Sequence, residues 1–302
     1  MTTSPTASIP GCPLCGAAGR PAFTARDRNR EIEGKLFHYA RCERCATLWL
    51  VDPPADLGRF YPEGYYELPP AERLPALAAG EGHKVALLRE VADGGRLVEI
   101  GPGFGVFAFA ARRAGFDVTG VEMDARCCAY LRDTVGVGAV HSARPAAELE
   151  RLPPSRVVAL WHVIEHVPDP GGLLDAIARH LEPGGVAAIA TPNPQSLQMR
   201  LLRARWAHVD APRHLTLIPL GALTERARRS GLRPMRVTLA DPAGRHWNRF
   251  GWEAALRRRP AAGPPTKPVA AAALALTLAM RPVEERDRLG TAYTVTFRKE
   301  PA

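Results

Sequence analysis

A glycine-rich bend between an apolar run and a helical stretch, Glu99-Ile100-Gly101-Pro102-Gly103-Phe104-Gly105, constrains this chain more than any other feature. It follows Arg96 to Ile100, which reads as a buried strand. It opens Phe104 to Ala114, which reads as a helix closed by Gly115. Glycines permit a sharp turn and let backbone approach a ligand with no Cβ in the way. The N–H groups at the start of the helix then favour a negative group, a phosphate or the carboxylate of an amino acid. A dinucleotide site calls for G-x-G-x-x-G, whereas here the third glycine comes one position early. Glu122 ends the next apolar run, 21 positions after Gly101 (122 − 101). A carboxylate there can accept hydrogen bonds from both hydroxyls of a ribose.

The pattern around the bend repeats. Val118 to Glu122 reads as a strand, Ala125 to Thr134 as a helix, Gly138 to His141 as a weak strand and Val157 to Trp161 as a strong one. Leu173 to Leu181 reads as a helix, Val186 to Thr191 as a strand, Pro219 to Ser230 as a helix, and Met235 to Ala240 and Tyr293 to Phe297 as the last strands. Such alternation calls for an α/β fold: a mostly parallel sheet covered on both faces, doubly wound because crossovers are right-handed. A chain of 302 residues holds one such domain and one small unit. The large domain is read as residues 81–302, with an insertion at about 241–291. The insertion carries Arg257-Arg258-Arg259, which either grips phosphate or faces solvent, and an Ala/Leu-rich helix at 269–280 that offers a partner surface.

The bend resembles motif I of the class I methyltransferases that use S-adenosylmethionine. The resemblance extends through Leu160-Trp161-His162-Val163-Ile164-Glu165-His166-Val167, Leu181-Glu182-Pro183-Gly184-Gly185 and Thr191-Pro192-Asn193, covering residues 85–240. It implies a Rossmann-like methyltransferase domain with a seven-stranded sheet. It also implies that Gly101, Gly103 and Gly105 surround the methionine part of the cofactor and that Glu122 holds its ribose. Glu99, Met123, Ala143 and His162 complete the implied cofactor set. Family members often carry an acidic residue after the third strand, near the adenine amine; here Ser142-Ala143-Arg144 stands in that place.

His162, Glu165 and His166 also spell H-x-x-E-H, a zinc-protease pattern. Those ligands need one continuous helix, but His162 ends an apolar strand and Pro168 and Pro170 follow. At the C-terminal edge of a parallel sheet, His162 instead lines the cofactor–acceptor crevice or serves as a hydrogen-bonded structural histidine. Glu165 and His166 are expected to cap and orient the loop. Asp210-Ala211-Pro212-Arg213-His214-Leu215 precedes the helix at 219, a segment that borders the acceptor in related enzymes. His214 is the candidate base for a hydroxyl proton, and Arg213 a candidate grip for an anionic acceptor. The alternative is that the segment docks the helix and His214 bonds only backbone.

Cys12-Pro13-Leu14-Cys15 and Cys42-Glu43-Arg44-Cys45 are two C-x-x-C pairs separated by 26 residues (42 − 15 − 1). Four thiolates make a closed, structural zinc site with no open position for catalysis, and a segment with little core of its own needs such a staple. A redox C-x-x-C would want a βαβ context that is missing here. With Val51-Asp52-Pro53 and Phe60-Tyr61-Pro62 downstream, residues 1–50 look like the zinc-ribbon module of many bacterial methyltransferases, several of which act on sugars or secondary metabolites. Residues 51–80 read as a Pro/aromatic connector whose Phe60, Tyr61, Tyr65 and Tyr66 pack the module against the main domain.

The chain carries 40 Lys+Arg against 31 Asp+Glu, a net charge of +9. That balance admits an anionic partner, but biased use of Arg accounts for it equally well. The first residues lack the apolar core of a signal peptide, and the most apolar run, Pro268 to Met280, is shorter than the roughly 20 residues a bilayer needs. A cytoplasmic location is therefore expected. The reading is S-adenosylmethionine-dependent methylation of a small-molecule acceptor, most simply at a hydroxyl, with an anionic or nucleotide-linked acceptor as one candidate. Ribosomal RNA is the alternative, disfavoured because the basic residues are scattered and no aromatic–basic platform is evident.

Overall fold

The computed structural model describes residues 9–62, 64–257, 264–286 and 289–300; Arg258 and Arg259 lie outside them. The strands are β1 (Gly19–Ala25), β2 (Phe37–Cys42), β3 (Leu48–Leu50), β4 (Gly95–Ile100), β5 (Phe116–Glu122), β6 (Gly138–His141), β7 (Ser155–Trp161), β8 (Leu181–Pro192), β9 (Thr216–Leu217), β10 (Leu232–Thr238) and β11 (Ala292–Lys299). Seven of them form one sheet in the order β10-β11-β8-β7-β4-β5-β6. Neighbours from β6 to β8 pair in parallel, and only β11 is reversed, antiparallel to both β8 and β10. Val157, Val158, Ala159 and Leu160 are all fully buried, as expected of a central strand covered on both faces.

Helices α1 (Leu74–Gly80), α2 (Gly82–Arg89), α3 (Val106–Arg113) and α4 (Ala125–Tyr130) cover one face, packing Leu74, Leu88, Phe107 and Leu131 into one core. On the other face α5 (Pro145–Leu149), α6 (Pro170–His180) and α8 (Leu220–Arg229), the last following the short α7 (Leu197–Leu202), bury Leu149, Leu173, Ile177 and Leu223. The order of strands reverses beside β4. The chain moves outward to β5 and β6, then returns to β7 on the other side, which opens a crevice at the C-terminal ends of β4 and β7.

Several boundaries differ from those read in the sequence, among them the start of β8, at Leu181 rather than Val186, and the three that follow. Helix α6 begins at Pro170, not Leu173, because proline at the first helical position loses no hydrogen bond and the Asp169 side chain accepts from Gly172 N. The helix read to Thr134 ends at Tyr130 and gives way to a π turn, Leu131–Val135, closed by Gly136. Strand β10 starts at Leu232, directly after Gly231, rather than at Met235.

The segment between β10 and β11 folds as α9 (Pro242–Leu256) and α10 (Lys267–Arg286), which pack on one another. On α10, Leu274 and Leu278 are 44% and 58% exposed. The N-terminal strands form a second sheet, β1-β2-β3-β9. Its last strand comes from residues 216–217, far beyond the module read as 1–50. Cys12, Leu14, Cys42 and Trp49 share one core with Ile164, Leu173 and Ile218. On the ribbon's other side Phe37, Tyr39 and Leu50 pack with Phe60, Trp206 and Leu215.

Candidate functional site

The crevice at the ends of β4 and β7 is a cavity of about 790 Å³. Its floor is the glycine bend. Gly101 has φ +66°, and a Cβ there would lie 2.7 Å from Val163 Cγ2, so only glycine fits. Gly103 N donates to Glu122 Oε2 (2.9 Å), and Met123 N and Asp124 N donate to Oε1 (2.7 and 2.9 Å). Glu122 thus ties the bend to the end of β5. It is 2% exposed; burial pushes its carboxyl up while these backbone donors oppose the push. A carboxylate offers about four lone-pair sites, so three backbone bonds leave capacity for a ligand hydroxyl.

Glu99 is 3% exposed, and its Oε2 has no partner among the described residues. Burial carries its carboxyl up to about 8, against the pull of Lys84. Lys84 itself pairs with Glu81 (2.5 Å) and lies over the Trp161 ring, 4.9 Å from its centroid. An orphaned buried carboxyl oxygen facing a cavity suits an ammonium group. Together with the bend and Glu122, it fits a ligand bearing both an amino acid and a ribose, as S-adenosylmethionine does. Glu99, Gly101, Gly103, Glu122, Met123, Ala143 and His162 all line this one cavity. Gly105 does not: it caps α3 in the left-handed region (φ +79°), with Leu131 packed where a Cβ would go.

Beyond the bend lies a nest of histidines. His162 leaves β7 in a left-handed conformation (φ +59°) and donates its N–H to Ala190 O (2.9 Å). Its ring packs 5.0 Å from Trp247, and its Nδ1 is 3.6 Å from Glu165 Oε1, an ion-pair separation rather than a hydrogen bond. Glu165 is fully buried and accepts from Thr191 Oγ1 (2.9 Å). Burial alone would raise its carboxyl, but His162, then His166 and His214, outweigh that and hold it down to about 2. His166 lines the cavity. Its Nδ1 lies 2.9 Å from Arg213 O and 3.0 Å from Tyr61 Oη. A carbonyl can only accept, so the tautomer that uses it carries the proton on Nδ1. Burial lowers the His166 imidazole to about 4, leaving it neutral at pH 7.

Two expectations need correction. His214 does not line the cavity: it sits behind His166, ring centroids 4.7 Å apart, with Nδ1 2.8 Å from His208 O. Arg213 cannot reach an acceptor. It is 1% exposed, its Nη2 donates to Asp27 and Asp210 (both 2.7 Å), and its Nε donates to Asp210 (2.9 Å). Burial opposes ionisation of Asp210, yet the Arg213 contacts hold it at about 2. Arg213 therefore clamps the ribbon's Asp27 loop to the 210–214 loop. Glu165, His166 and His214 bring one donor atom each within 4.8 Å of one another. Each also uses a polar atom on the protein: the Thr191 hydroxyl, the Arg213 carbonyl and the His208 carbonyl, respectively.

The remaining wall was not assigned to the site from sequence. Tyr61, Tyr65 and Tyr66 of the connector line the cavity, as do Pro242, His246 and Trp247 at the start of α9. Arg30 of the ribbon stacks over Tyr65, 4.7 Å from the ring centroid. The signal was present in both places: clustered aromatics interrupted by proline, and a His-Trp pair in a helix following the sixth strand.

The four cysteines gather as their spacing suggested. Cys12–Cys45, Cys15–Cys42 and Cys15–Cys45 Sγ distances are 3.7, 3.5 and 3.5 Å. A tetrahedron with Zn–S bonds of 2.3 Å has edges of about 3.8 Å, so the cluster suits zinc. Each pair forms the same knuckle: Gly16 N donates to Cys12 O and Ala46 N to Cys42 O, with both residues at positive φ (72° and 60°). The contact with Cys12 draws the Cys45 thiol below its ordinary value.

Comparison with known proteins agrees with this geometry. Residues 71–237 match a family model described as a methyltransferase domain. Ubiquinone biosynthesis O-methyltransferase of Bordetella avium (strain 197N) is 30% identical over 153 residues, covering 47% of this chain and 64% of that protein. The enzyme of the same name from Caulobacter sp. (strain K31) is 29% identical over 174 residues, covering 49% and 66%. The chain thus spans between about half and two thirds of the length of the curated relatives it matches. A putative sarcosine dimethylglycine methyltransferase from Galdieria sulphuraria aligns with a TM-score of 0.50 at 16% identity, over 74% of this chain and 86% of that one, a likeness of fold alone. With 167 of 302 residues inside the matched domain (237 − 71 + 1), and with the seven-stranded sheet and its switch-point crevice around them, the chain belongs to the methyltransferase-domain family.

Proposed function

We propose that this protein transfers a methyl group from S-adenosylmethionine to a hydroxyl of an uncharged small molecule, a sugar or secondary-metabolite intermediate. The observation that carries the reading is the juxtaposition, in one cavity, of the orphaned Glu99 carboxyl, the Gly101–Gly103 bend with Glu122, and the neutral His166. Bound there, S-adenosylmethionine supplies a methyl already activated on a sulfonium sulfur. Glu99 holds the ammonium, the bend admits the methionine chain and Glu122 takes the ribose. Both relatives are O-methyltransferases by name, which favours oxygen as the acceptor atom.

The chain's contribution is mainly positioning, worth up to roughly 7–11 kcal/mol when reacting atoms are held in line. His162, fixed by its strained backbone and by Trp247, orients the acceptor. His166 takes the hydroxyl proton. Its Nδ1–H is directed at the Arg213 carbonyl, which leaves Nε2 to accept, and the ionised Glu165 stabilises the imidazolium as it forms. Among the described residues no arginine lines the cavity, and its lysine is already paired with Glu81, so the acceptor needs no negative charge. No helix among the described residues is long and apolar enough to cross a membrane. All six cysteines are free, which suits work in the reducing cytoplasm.

Titration calorimetry with S-adenosylhomocysteine tests the cofactor half of the proposal. Wild-type protein should bind it, and Gly103→Asp, which sets a carboxylate beside Glu122, should not. Labelled methyl transfer to a panel of sugars, phenols and amines tests the acceptor half, and transfer confined to nitrogen would refute it.

A further inference from the structure

We propose that the groove between the ribbon strands and helix α7 is a second binding site, built for a small ligand bearing a diphosphate. The groove encloses about 330 Å³ and shares no lining residue with the methyl-transfer crevice. Four arginines line it: Arg20 on β1, Arg41 on β2, Arg200 on α7, and Arg203 immediately beyond α7. Among the described residues no aspartate or glutamate does.

Three features of the fold concentrate this charge. First, Arg20 and Arg41 are direct cross-strand partners in the β1–β2 register. Residues so opposed share a sheet face with their Cβ atoms roughly 5 Å apart, and like charges there destabilise the sheet. Second, the charges go unanswered. Among the described residues no hydrogen bond or ion pair engages the Arg20, Arg41 or Arg203 guanidinium, and Arg200 Nε reaches only the neutral Gln195 carbonyl (3.2 Å). Some exposed arginines elsewhere do find carboxylates, as in Arg229–Glu225, Arg236–Glu90 and Arg245–Glu285, whereas here four unpaired with any carboxylate line one groove. Third, Arg203 is held at φ 50°, ψ −127°, a conformation that a residue with a Cβ adopts only under constraint. A guanidinium fork matches two phosphate oxygens. Four forks lining one groove from two layers of the fold match two adjacent phosphates better than one. Phe23 and Pro219 supply an apolar wall beside them.

The inference stands independently of the methyl-transfer reading, because its site and its ligand are separate. Titration of the zinc-loaded full chain with inorganic diphosphate tests it. Binding is expected at 50 mM salt, weakening at 200 mM as ionic contacts are screened. The pair Arg20→Gln with Arg203→Gln should lose at least about tenfold in affinity, about 1.4 kcal/mol, with S-adenosylhomocysteine binding unchanged. Arg233→Gln with Arg249→Gln removes equal charge from exposed positions outside the groove and should leave diphosphate affinity intact. Arg20→Gln alone should raise the melting temperature of the free protein by relieving the cross-strand repulsion. No diphosphate binding, or equal losses in both double variants, would overturn the proposal. So would length-dependent binding of single-stranded RNA with none of diphosphate, which would reassign the groove to nucleic acid.

Discussion

Glu99 offers the sharpest test of how the crevice recognises its cofactor. In the free protein burial carries this carboxyl from 4.5 to about 8. One pH unit corresponds to about 1.4 kcal/mol, so the site disfavours the Glu99 carboxylate by about 5 kcal/mol relative to the same group in water. Because the folded value lies above the unfolded one, the contribution of this group to stability is fully present below pH 4.5. It is lost as pH rises toward 8. An ammonium placed against Oε2 reverses the preference, and the proton must leave. At pH 7 about nine-tenths of the free protein carries that proton, so binding should release about 0.9 proton per ligand. Between pH 6 and 8 affinity should rise about 50-fold, from the ratio (1 + 10²)/(1 + 10⁰), flattening above as the ligand's own amine deprotonates. Calorimetry with S-adenosylhomocysteine at pH 7, in phosphate and in Tris, measures the proton directly because these buffers differ in ionisation enthalpy. Glu99→Gln keeps the shape, removes the titration and should abolish the buffer dependence. Equal apparent enthalpies in the two buffers for wild type, or an unchanged pH slope in Glu99→Gln, would refute the pairing of Glu99 with the ammonium.

Three further outcomes are expected. Gly105→Ala combines a left-handed φ of +79° with a Cβ 2.4 Å from Leu131 Cδ2; strain and overpacking together should cost about 2–5 kcal/mol in a denaturant melt. Asp27→Ala strips one of the two carboxylates from the buried Arg213 and should cost about 3–5 kcal/mol in the same melt. His166→Ala should lower kcat by about 10²–10⁴-fold without weakening S-adenosylhomocysteine. Since burial holds His166 at about 4, it acts as a base wherever it is neutral, and the wild-type kcat at saturating cofactor should fall on acidification only as pH approaches that value.

The bend, its flanking strand and helix, and Glu122 were legible because each rests on local chemistry: φ restrictions at Gly101, apolar runs, and an acidic residue at a strand end. The cysteine knuckles were legible for the same reason. What sequence could not rank was which of several histidines faces the cavity. His162, His166 and His214 carry similar local signals, and their order of depth is decided by long-range contacts. The Tyr39 hydroxyl donates to the His214 carbonyl (2.8 Å), and the Glu165 carbonyl accepts from Leu215 N (2.8 Å). These bonds draw the 210–215 loop inward and leave His166 in front. Arg213 misled for a related reason, since its partner Asp27 lies 186 residues away in sequence.

The same contacts decide what the ribbon is for. A zinc staple explains how a coreless segment folds, but not why its sheet is completed by β9 or why Asp27 and Asn29 reach across to Arg213 and Asp210. Those bonds fix the loop whose Arg213 carbonyl sets the tautomer of His166, and the stacking of Arg30 on Tyr65 fixes the connector wall facing the same cavity. A metal held by the four cysteines would therefore act on the proposed acceptor end of the crevice rather than on the glycine bend between β4 and α3. Chelating it should raise the KM for the acceptor and lower kcat while S-adenosylhomocysteine still binds. Loss of both affinities together would show instead that the ribbon merely holds the whole fold.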